Sequence, residues 1–256
     1  MIGVFDSGIG GLTVVRALRK ELPGVRILYV GDLARLPYGN KSPAMVLQYA
    51  REITRYLVRR GAKLIVIACN TASTVAPALR REFKVPIIDV IRPAARTALR
   101  VGAKRVAVLG TRATVSSGAY QRALASLRVF PIACPMFVPI IEEGFVGTKE
   151  GNAVVAKTLK PLKGKRIDTA ILGCTHYPLL RREIARALPG VRLIDSSTVA
   201  AMVKFFLAAN RTRAGRGPLE ILVTDKTPHF EKFARSIVGG GAKLKLLPID
   251  TLIRAR

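Results

Sequence analysis

The stretch LIVIACNTAS (64–73) is an apolar run that ends at Cys69 and continues in small polar residues. This pattern is typical of a buried parallel strand that leads into the start of a helix. The stretch TAILGCTHYP (169–178) has the same plan, and its apolar run ends just before Cys174. The two cysteines are 105 positions apart. The repeat predicts two similar units, each with a cysteine at the end of a strand.

A second pair of segments has nearly the same offset. VFDSGIGGLTVVRAL (4–18) and AVLGTRATVSSGAYQRAL (107–124) both read as a strand, a small polar turn and a helix. Phe5 matches Leu109, an offset of 104 positions. Two independent pairs of similar segments at nearly the same offset favour two similar domains related by duplication. Chance similarity between ordinary strand–helix turns is the alternative explanation.

Apolar runs and amphipathic stretches alternate along the whole chain. Helical periodicity is clear in LTVVRALRKEL (12–22) and in MVLQYAREITRYLVRRG (45–61), where Gly61 suits a helix end. The predicted fold class is therefore α/β, with two similar domains, mainly parallel sheets and a pseudo-twofold relation. The predicted strands are Ile2–Phe5, Ile27–Val30, Leu64–Ala68, Pro86–Val90, Arg105–Leu109, Val129–Ala133, Thr169–Leu172, Arg192–Ile194 and Glu220–Val223.

The domain division follows from the repeat. Residues 1–92 together with 205–256 are predicted to form the first α/β domain, and residues 93–204 the second. The first domain is discontinuous because the run Glu220–Val223 is expected to pair back onto its sheet. Ligands bind at the carboxyl ends of strands in open α/β sheets, so the active site is predicted in the interdomain cleft.

Composition excludes several classes of protein. The chain has 256 residues, half of them apolar, which indicates a globular protein. The longest clean apolar runs are about six residues, too short to cross a membrane. The N-terminus has no basic segment before a long apolar run, so no secretory signal is expected. Three cysteines suit a reduced, cytoplasmic protein better than a disulfide framework.

The charge balance is strongly basic. Lys and Arg number 43 and Asp and Glu 16, giving a net charge of +27. Nucleic-acid binding is one interpretation, because cations neutralise phosphates. A solvated basic surface is the other, and the sequence favours it. The basic residues are scattered over polar helix faces, without a block of five like charges or an aromatic-interleaved RNA motif.

The paired cysteines are the strongest chemical signal. A helix N-terminus lowers the pKa of a thiol, and two thiols on opposite sides of a cleft can act as acid and base on one carbon. This is the geometry that stereoinversion requires. A strand-end cysteine can also be an inert apolar residue, and that is the interpretation preferred for Cys134.

Three further residues are candidates for helping the thiols. His176 lies two positions from Cys174 and could assist proton transfer. Asp6 ends the first strand and is expected at the cleft edge, with helix capping as the alternative. Glu142 follows the apolar run MFVPII (136–141). Without a C-x-x-C pair, a P-loop or a dinucleotide fingerprint, neither a metal nor a cofactor is expected.

Five motifs spread over both halves resemble those of bacterial glutamate racemase, in the aspartate/glutamate racemase superfamily. The resemblance implies two α/β domains, a cleft site and no cofactor. It extends to about residue 198, and its paired cysteine motifs are highly specific. The motifs are FDSGIGGLTV (5–14), LPYGNKS (36–42), ACNTAS (68–73), GAYQRAL (118–124) and LGCTHYPLL (172–180).

The resemblance also implies roles for individual residues. Cys69 would take the α-proton from D-glutamate and Cys174 from L-glutamate. Asp6 and His176 would support these thiols, and Glu142 would be an acidic helper. The residues implied to hold the substrate's carboxylates and amine are Asp6, Ser7, Tyr38, Gly39, Asn70, Thr71, Thr111, Thr114, Thr175 and His176.

The expected function is thus cofactor-independent interconversion of L- and D-glutamate for peptidoglycan synthesis. Glutamate is the expected partner, neither a membrane nor a nucleic acid is expected, and a homodimer is left open. Aspartate racemase, or a related two-cysteine isomerase, is the nearest alternative. A basic nucleic-acid-binding protein on the same fold is the alternative from another class.

Overall fold

The computed structural model describes residues 1–211, 215–239 and 243–254. The described chain alternates strands and helices along its length. The strands are β1 (Ile2–Asp6), β2 (Ile27–Gly31), β3 (Leu64–Ile67), β4 (Ile87–Asp89), β5 (Arg105–Gly110), β6 (Arg128–Ala133), β7 (Thr169–Gly173), β8 (Arg192–Asp195), β9 (Leu219–Val223) and β10 (Leu244–Leu246). The α-helices are α1 (Leu12–Glu21), α2 (Pro43–Arg59), α3 (Asn70–Ser73), α4 (Ala76–Glu82), α5 (Ile91–Arg100), α6 (Arg112–Ser116), α7 (Ala119–Ala123), α8 (Phe137–Glu142), α9 (Lys149–Leu159), α10 (Arg181–Ala187), α11 (Val199–Ala209), α12 (Pro228–Val238) and α13 (Ile249–Ile253).

The strands form two sheets. One has the order β10-β9-β2-β1-β3-β4 and the other the order β6-β5-β7-β8. All ladders between these strands are parallel. The strands β2-β1-β3-β4 and the strands β6-β5-β7-β8 have the same topology. In both sets, the spatial order is the second, first, third and fourth strand in sequence. The predicted α/β class with two similar parallel units is therefore confirmed.

The tail completes the larger sheet. Strand β9 pairs with β2, with Ile221 opposite Tyr29, and β10 pairs with β9. Strand β10 was not predicted, because it has three residues and two of them are exposed. The division into residues 1–92 with 205–256 and 93–204 stays a prediction.

Helix α11 bears on where the second domain ends. It runs across the predicted boundary between residues 204 and 205. Its buried residues Val199, Val203 and Leu207 belong to the hydrophobic core that also holds β1, β2 and α1. A boundary placed before α11 would keep this helix with the sheet on which it packs.

Burial explains the strand composition. All five residues of β1, β2 and β7 are buried, which requires apolar residues on both faces of each strand. Strand β6 is an edge strand, so it tolerates Pro131, which lacks the N–H that a central strand needs. Among the described helices, none combines the length and apolar character needed to cross a membrane.

We predict that Ile221→Ala destabilises the protein by about 2–4 kcal/mol, the usual cost of emptying part of a packed core. Ile221 is 2% exposed and packs in the core of the larger sheet. Denaturant unfolding measures the change. Phe205→Ala is the control, because Phe205 is 75% exposed and should cost less than about 0.5 kcal/mol. Equal effects of the two variants would contradict the pairing of the tail with the core.

Candidate active site

A cavity of about 200 Å³, here called the cleft cavity, lies where residues from both predicted domains meet. The turns after β1, β3, β5 and β7 all contribute to its walls. Most of the predicted site residues line it: Ser7, Tyr38, Gly39, Cys69, Asn70, Thr71, Thr111, Glu142, Cys174, Thr175 and His176. Asp6 and Thr114 do not line it.

Asp6, expected at the cleft edge, is fully buried and does not line the cleft cavity, although the next residue, Ser7, does. Its carboxylate accepts the N–H groups of Gly8 and Gly11 at 3.0 and 3.1 Å. The hydroxyl of Thr175 donates to it at 3.3 Å. Burial raises the pKa of Asp6, although His176 and the two N–H groups oppose the shift. Asp6 therefore shapes the turn that carries Ser7 and links it to Thr175.

Thr114 is likewise buried behind the wall rather than in it. Its hydroxyl lies 3.1 Å from that of Thr71 and 3.0 Å from that of Thr111. Thr71 and Thr111 are themselves 2.9 Å apart. This triangle of hydroxyls joins the turn after β3 to the turn after β5. Thr114 thus orients two residues of the wall instead of contacting a ligand in this structure.

Cys69 is the N-cap of α3, as predicted, and its sulfur accepts the N–H of Ala72 at 3.4 Å. Its sulfur also lies 3.7 Å from the hydroxyl of Ser7. The expected lowering of the thiol pKa does not occur. Burial and the negative charge of Asp6 raise the pKa of Cys69 to about 12, against the opposing effects of Ala72 and Ser7. The thiol of Cys69 is therefore protonated at neutral pH.

Cys174 has a different local setting. No α-helix begins directly after it, because the next helical turn is the 3₁₀ segment Tyr177–Leu180. Its partner is His176, whose Nδ1 lies 4.0 Å from Sγ. The other ring nitrogen, Nε2, is 3.0 Å from Oε1 of Glu142. His176 thus lies beside the second thiol and Glu142 beside His176, whereas the helix start expected directly after Cys174 is replaced by this 3₁₀ segment.

His176 is the positive group of this trio. Burial disfavours its charged form, but the contacts with Cys174 and Glu142 outweigh burial and raise its pKa to about 10. The ring is also stacked on Phe233 of α12, with centroids 5.9 Å apart. The imidazolium can therefore stabilise negative charge on the sulfur of Cys174.

Several residues of the site were not anticipated. Arg112 lines the cavity at the first position of α6. Cys134 also lines it, although it is only 1% exposed and its thiol donates to the carbonyl of Ile132. The amide of Asn70 is held by Ser196 at 3.0 Å and by the hydroxyl of Tyr120 at 2.7 Å. The motif GAYQRAL contained Tyr120, which was the available signal.

Within the described ranges, no group of three or more His, Cys, Asp or Glu side chains is arranged to hold a metal ion.

The sequence profile of the Asp/Glu/Hydantoin racemase family matches residues 10–203. The chain belongs to that family. It is therefore a racemase, an enzyme of the isomerase class. The profile includes both cysteine turns and the wall residues of the second domain.

Named relatives of the racemase are glutamate racemases. That of Aquifex aeolicus (strain VF5) is 45% identical over 249 residues, covering 96% of each chain. The structure of glutamate racemase from Thermus thermophilus in complex with β-chloro-D-alanine has a TM-score of 0.89 at 43% identity, covering 98% of this chain and 97% of that one. The Francisella tularensis enzyme in complex with D-glutamate has a TM-score of 0.91 at 36% identity, covering 98% of both. The resemblance to glutamate racemase is confirmed.

We predict that alkylation of Cys69 by iodoacetamide accelerates about tenfold per pH unit between pH 7 and 10. Only the thiolate reacts, and a pKa of about 12 keeps its fraction small over this range. The variant Cys134→Ser/Cys174→Ser isolates this thiol for mass spectrometry. Asp6→Asn should speed the reaction about 3–10-fold at pH 8, because a nearby negative charge is removed. A plateau near pH 8 would contradict the raised pKa.

We predict that the ring of His176 titrates near pH 10 in the free enzyme and at a lower pH in Glu142→Gln. NMR of the two histidines measures this, with His229→Gln as the assignment control. The folded-state pKa lies above the ordinary value of 6.5. The associated stabilisation is thus complete below about pH 6.5 and is lost as the pH rises through about 10. Identical titration of the two enzymes would refute the role of Glu142.

Proposed function

We propose that the racemase interconverts L- and D-glutamate by two-base proton transfer, with one thiol on each face of the α-carbon. The observation that carries this proposal is the presence of Cys69 and Cys174 in the wall of one cavity. They follow β3 and β7, which are corresponding strands of the two sheets. Two acids of the same kind at related positions suit a reaction whose substrate and product are mirror images.

In the proposed reaction, one proton leaves the α-carbon and another is added to its opposite face. In L-glutamate the sulfur of Cys174 takes the α-proton, and the C–H electron pair passes to the carbanion and its carboxylate. The thiol of Cys69 then delivers its proton to the opposite face and becomes a thiolate. D-glutamate reacts in reverse, with Cys69 as the base and Cys174 as the acid. Exchange of protons with solvent restores the starting form.

The surroundings of the two sulfurs support this assignment. Cys69 has a pKa of about 12, so its protonated thiol suits the role of the acid. His176 lies next to Cys174 and stabilises negative charge there. This arrangement is consistent with Cys69 as the acid and Cys174 as the base when L-glutamate reacts. Because the enantiomers have equal free energies, kcat/KM must nevertheless be equal in the two directions at every pH.

The polar wall is proposed to bind the substrate. N–H and hydroxyl groups of the turns after β1, β3 and β7 suit carboxylates, and they can stabilise the carbanion-like transition state. Ser7, Tyr38, Gly39, Asn70, Thr71, Thr111 and Thr175 are the binding residues in the wall. Asp6 and Thr114 position them from behind, and Glu142 holds His176.

Glutamate is preferred to aspartate because the relatives described above are named glutamate racemases. Turnover of each dicarboxylate decides between them. Supply of D-glutamate for peptidoglycan synthesis is proposed as the role of the reaction. A nucleic-acid-binding function has no support from these relatives, and the net charge of +27 is assigned to the surface.

We predict that in D₂O the product carries α-deuterium from its first turnover, while the recovered substrate stays protiated. The reason is that one sulfur keeps the abstracted proton and the other delivers a solvent-derived deuteron. Early quenching and mass spectrometry, starting from each enantiomer, measure this. Loss of the α-proton from the substrate before product forms would contradict the two-base assignment.

Single substitutions distinguish the roles of the two thiols. Cys69→Ser and Cys174→Ser should each lose racemisation, because a hydroxyl is a far weaker acid and base than a thiol. Elimination of HCl from β-chloroalanine needs only one base, so Cys69→Ser should retain it with the L-form and Cys174→Ser with the D-form. Cys134→Ser is the matched control and should stay within about threefold of the parent enzyme. Equal losses with both enantiomers in both variants would overturn the assignment.

A further inference from the structure

A second cavity of about 760 Å³, here called the outer cavity, adjoins the cleft cavity. The two cavities share four wall residues: Gly39, Asn40, Thr71 and Arg112. Thr71 is one of the proposed substrate-binding residues. The outer cavity is the larger of the two, and through these shared residues it adjoins the site where the chemistry is proposed.

The outer cavity is positively charged. Lys41, Arg112 and Arg122 line it, and in the described part of the chain its wall contains neither Asp nor Glu. Arg112 and Arg122 are exposed, and Lys41 is half-buried. Cations in a concave surface with low-dielectric walls focus the electric field and concentrate anions there.

Arg112 has a special place in this arrangement. It lies at the first position of α6, directly after Thr111, and it lines both cavities. Among the described residues that line the cleft cavity, it is the single Lys or Arg. The other charged groups of that wall are His176 and Glu142, which are engaged with each other and with Cys174.

We propose that the outer cavity is a carboxylate-capture site, in which Arg112, assisted by Lys41 and Arg122, draws the dicarboxylate substrate into the cleft. This inference rests on the proposed function. Glutamate carries two carboxylates and one ammonium at neutral pH, so it is a net anion. The guanidinium of Arg112 can form paired hydrogen bonds with either carboxylate. As the substrate moves inward, the N–H and hydroxyl groups of the cleft replace that contact.

The experiment is steady-state racemisation by Arg112→Gln over a range of NaCl concentrations. At about 20 mM salt, KM should rise about 3–10-fold with kcat within about twofold, because a local cation concentrates the anion before chemistry begins. At about 0.5 M salt the screening length is roughly 4 Å, so the difference should fall below about twofold. Arg122→Gln should show the same pattern with a smaller effect, because it lines the outer cavity alone.

Arg100→Gln is the matched control. Arg100 is exposed at the end of α5, just before β5, and thus at the opposite edge of the sheet from the cavity. It removes the same charge, so a general effect of net charge would appear there as well. Equal KM changes in Arg100→Gln and Arg112→Gln would overturn the proposal.

Two probes distinguish capture from other roles. β-Chloroalanine is net neutral, so its elimination should lose less than about twofold in kcat/KM in Arg112→Gln at 20 mM salt. Inorganic phosphate should inhibit the parent enzyme competitively, and more weakly in the variant. If phosphate instead changes kcat, the outer cavity is an effector site and the proposal is wrong. An unchanged KM in Arg112→Gln would refute the capture site but not the proposed function. Absence of glutamate turnover in the parent enzyme would refute the proposed function.

Discussion

The buried carboxylate of Asp6 is the constraint on which the site depends. It accepts two N–H groups of the turn after β1. It also accepts a hydrogen bond from the hydroxyl of Thr175, in the turn after β7. The turn lies so close that a Cβ on Gly11 would be 2.5 Å from Cβ of Asp6. A Cβ on Gly10 would be 2.4 Å from the ring of His176. Gly11 is thus required by the close approach of its own turn to Asp6, and Gly10 by the close approach of the turn that carries His176.

The two thiols have different charged neighbours. Burial, and after it the negative charge of Asp6, raises the pKa of Cys69. Cys174 lies beside a ring that Glu142 keeps positive. The two strand ends are related in topology, yet the charges placed around them have opposite signs. The two related strand ends therefore supply equivalent positions, and the side chains around each position set the charge that its sulfur meets.

Most of the fold could be predicted from apolar runs and their spacing, because buried parallel strands have a strong composition signal. Strand β10 lacked that signal, since Lys245 and Leu246 are exposed at the edge of the sheet. The position of the cleft could be predicted because strand ends of parallel sheets meet at one edge, whereas the individual binding residues were implied by the family resemblance. Their depth could not be predicted: Asp6 and Thr114 were expected in the wall but lie behind it. Nor could the pKa of Cys69, which depends on that depth rather than on the helix start alone.

Acidic residues are scarce in this chain, and several of them hold parts of the site in place. Asp6 holds the first turn, Glu142 holds His176, and Asp32 accepts the hydroxyl of Tyr38 in the cleft wall. Arg35 joins Asp32 to Glu52 of α2, so this network extends from the wall into the longest helix. Asp6 and Asp32 thus organise the site from behind its wall, and Glu142 does so from within the wall. Among the described residues of the cleft wall, Glu142 is the one carboxylate, and its pairing with His176 leaves little uncompensated negative charge to repel an anion.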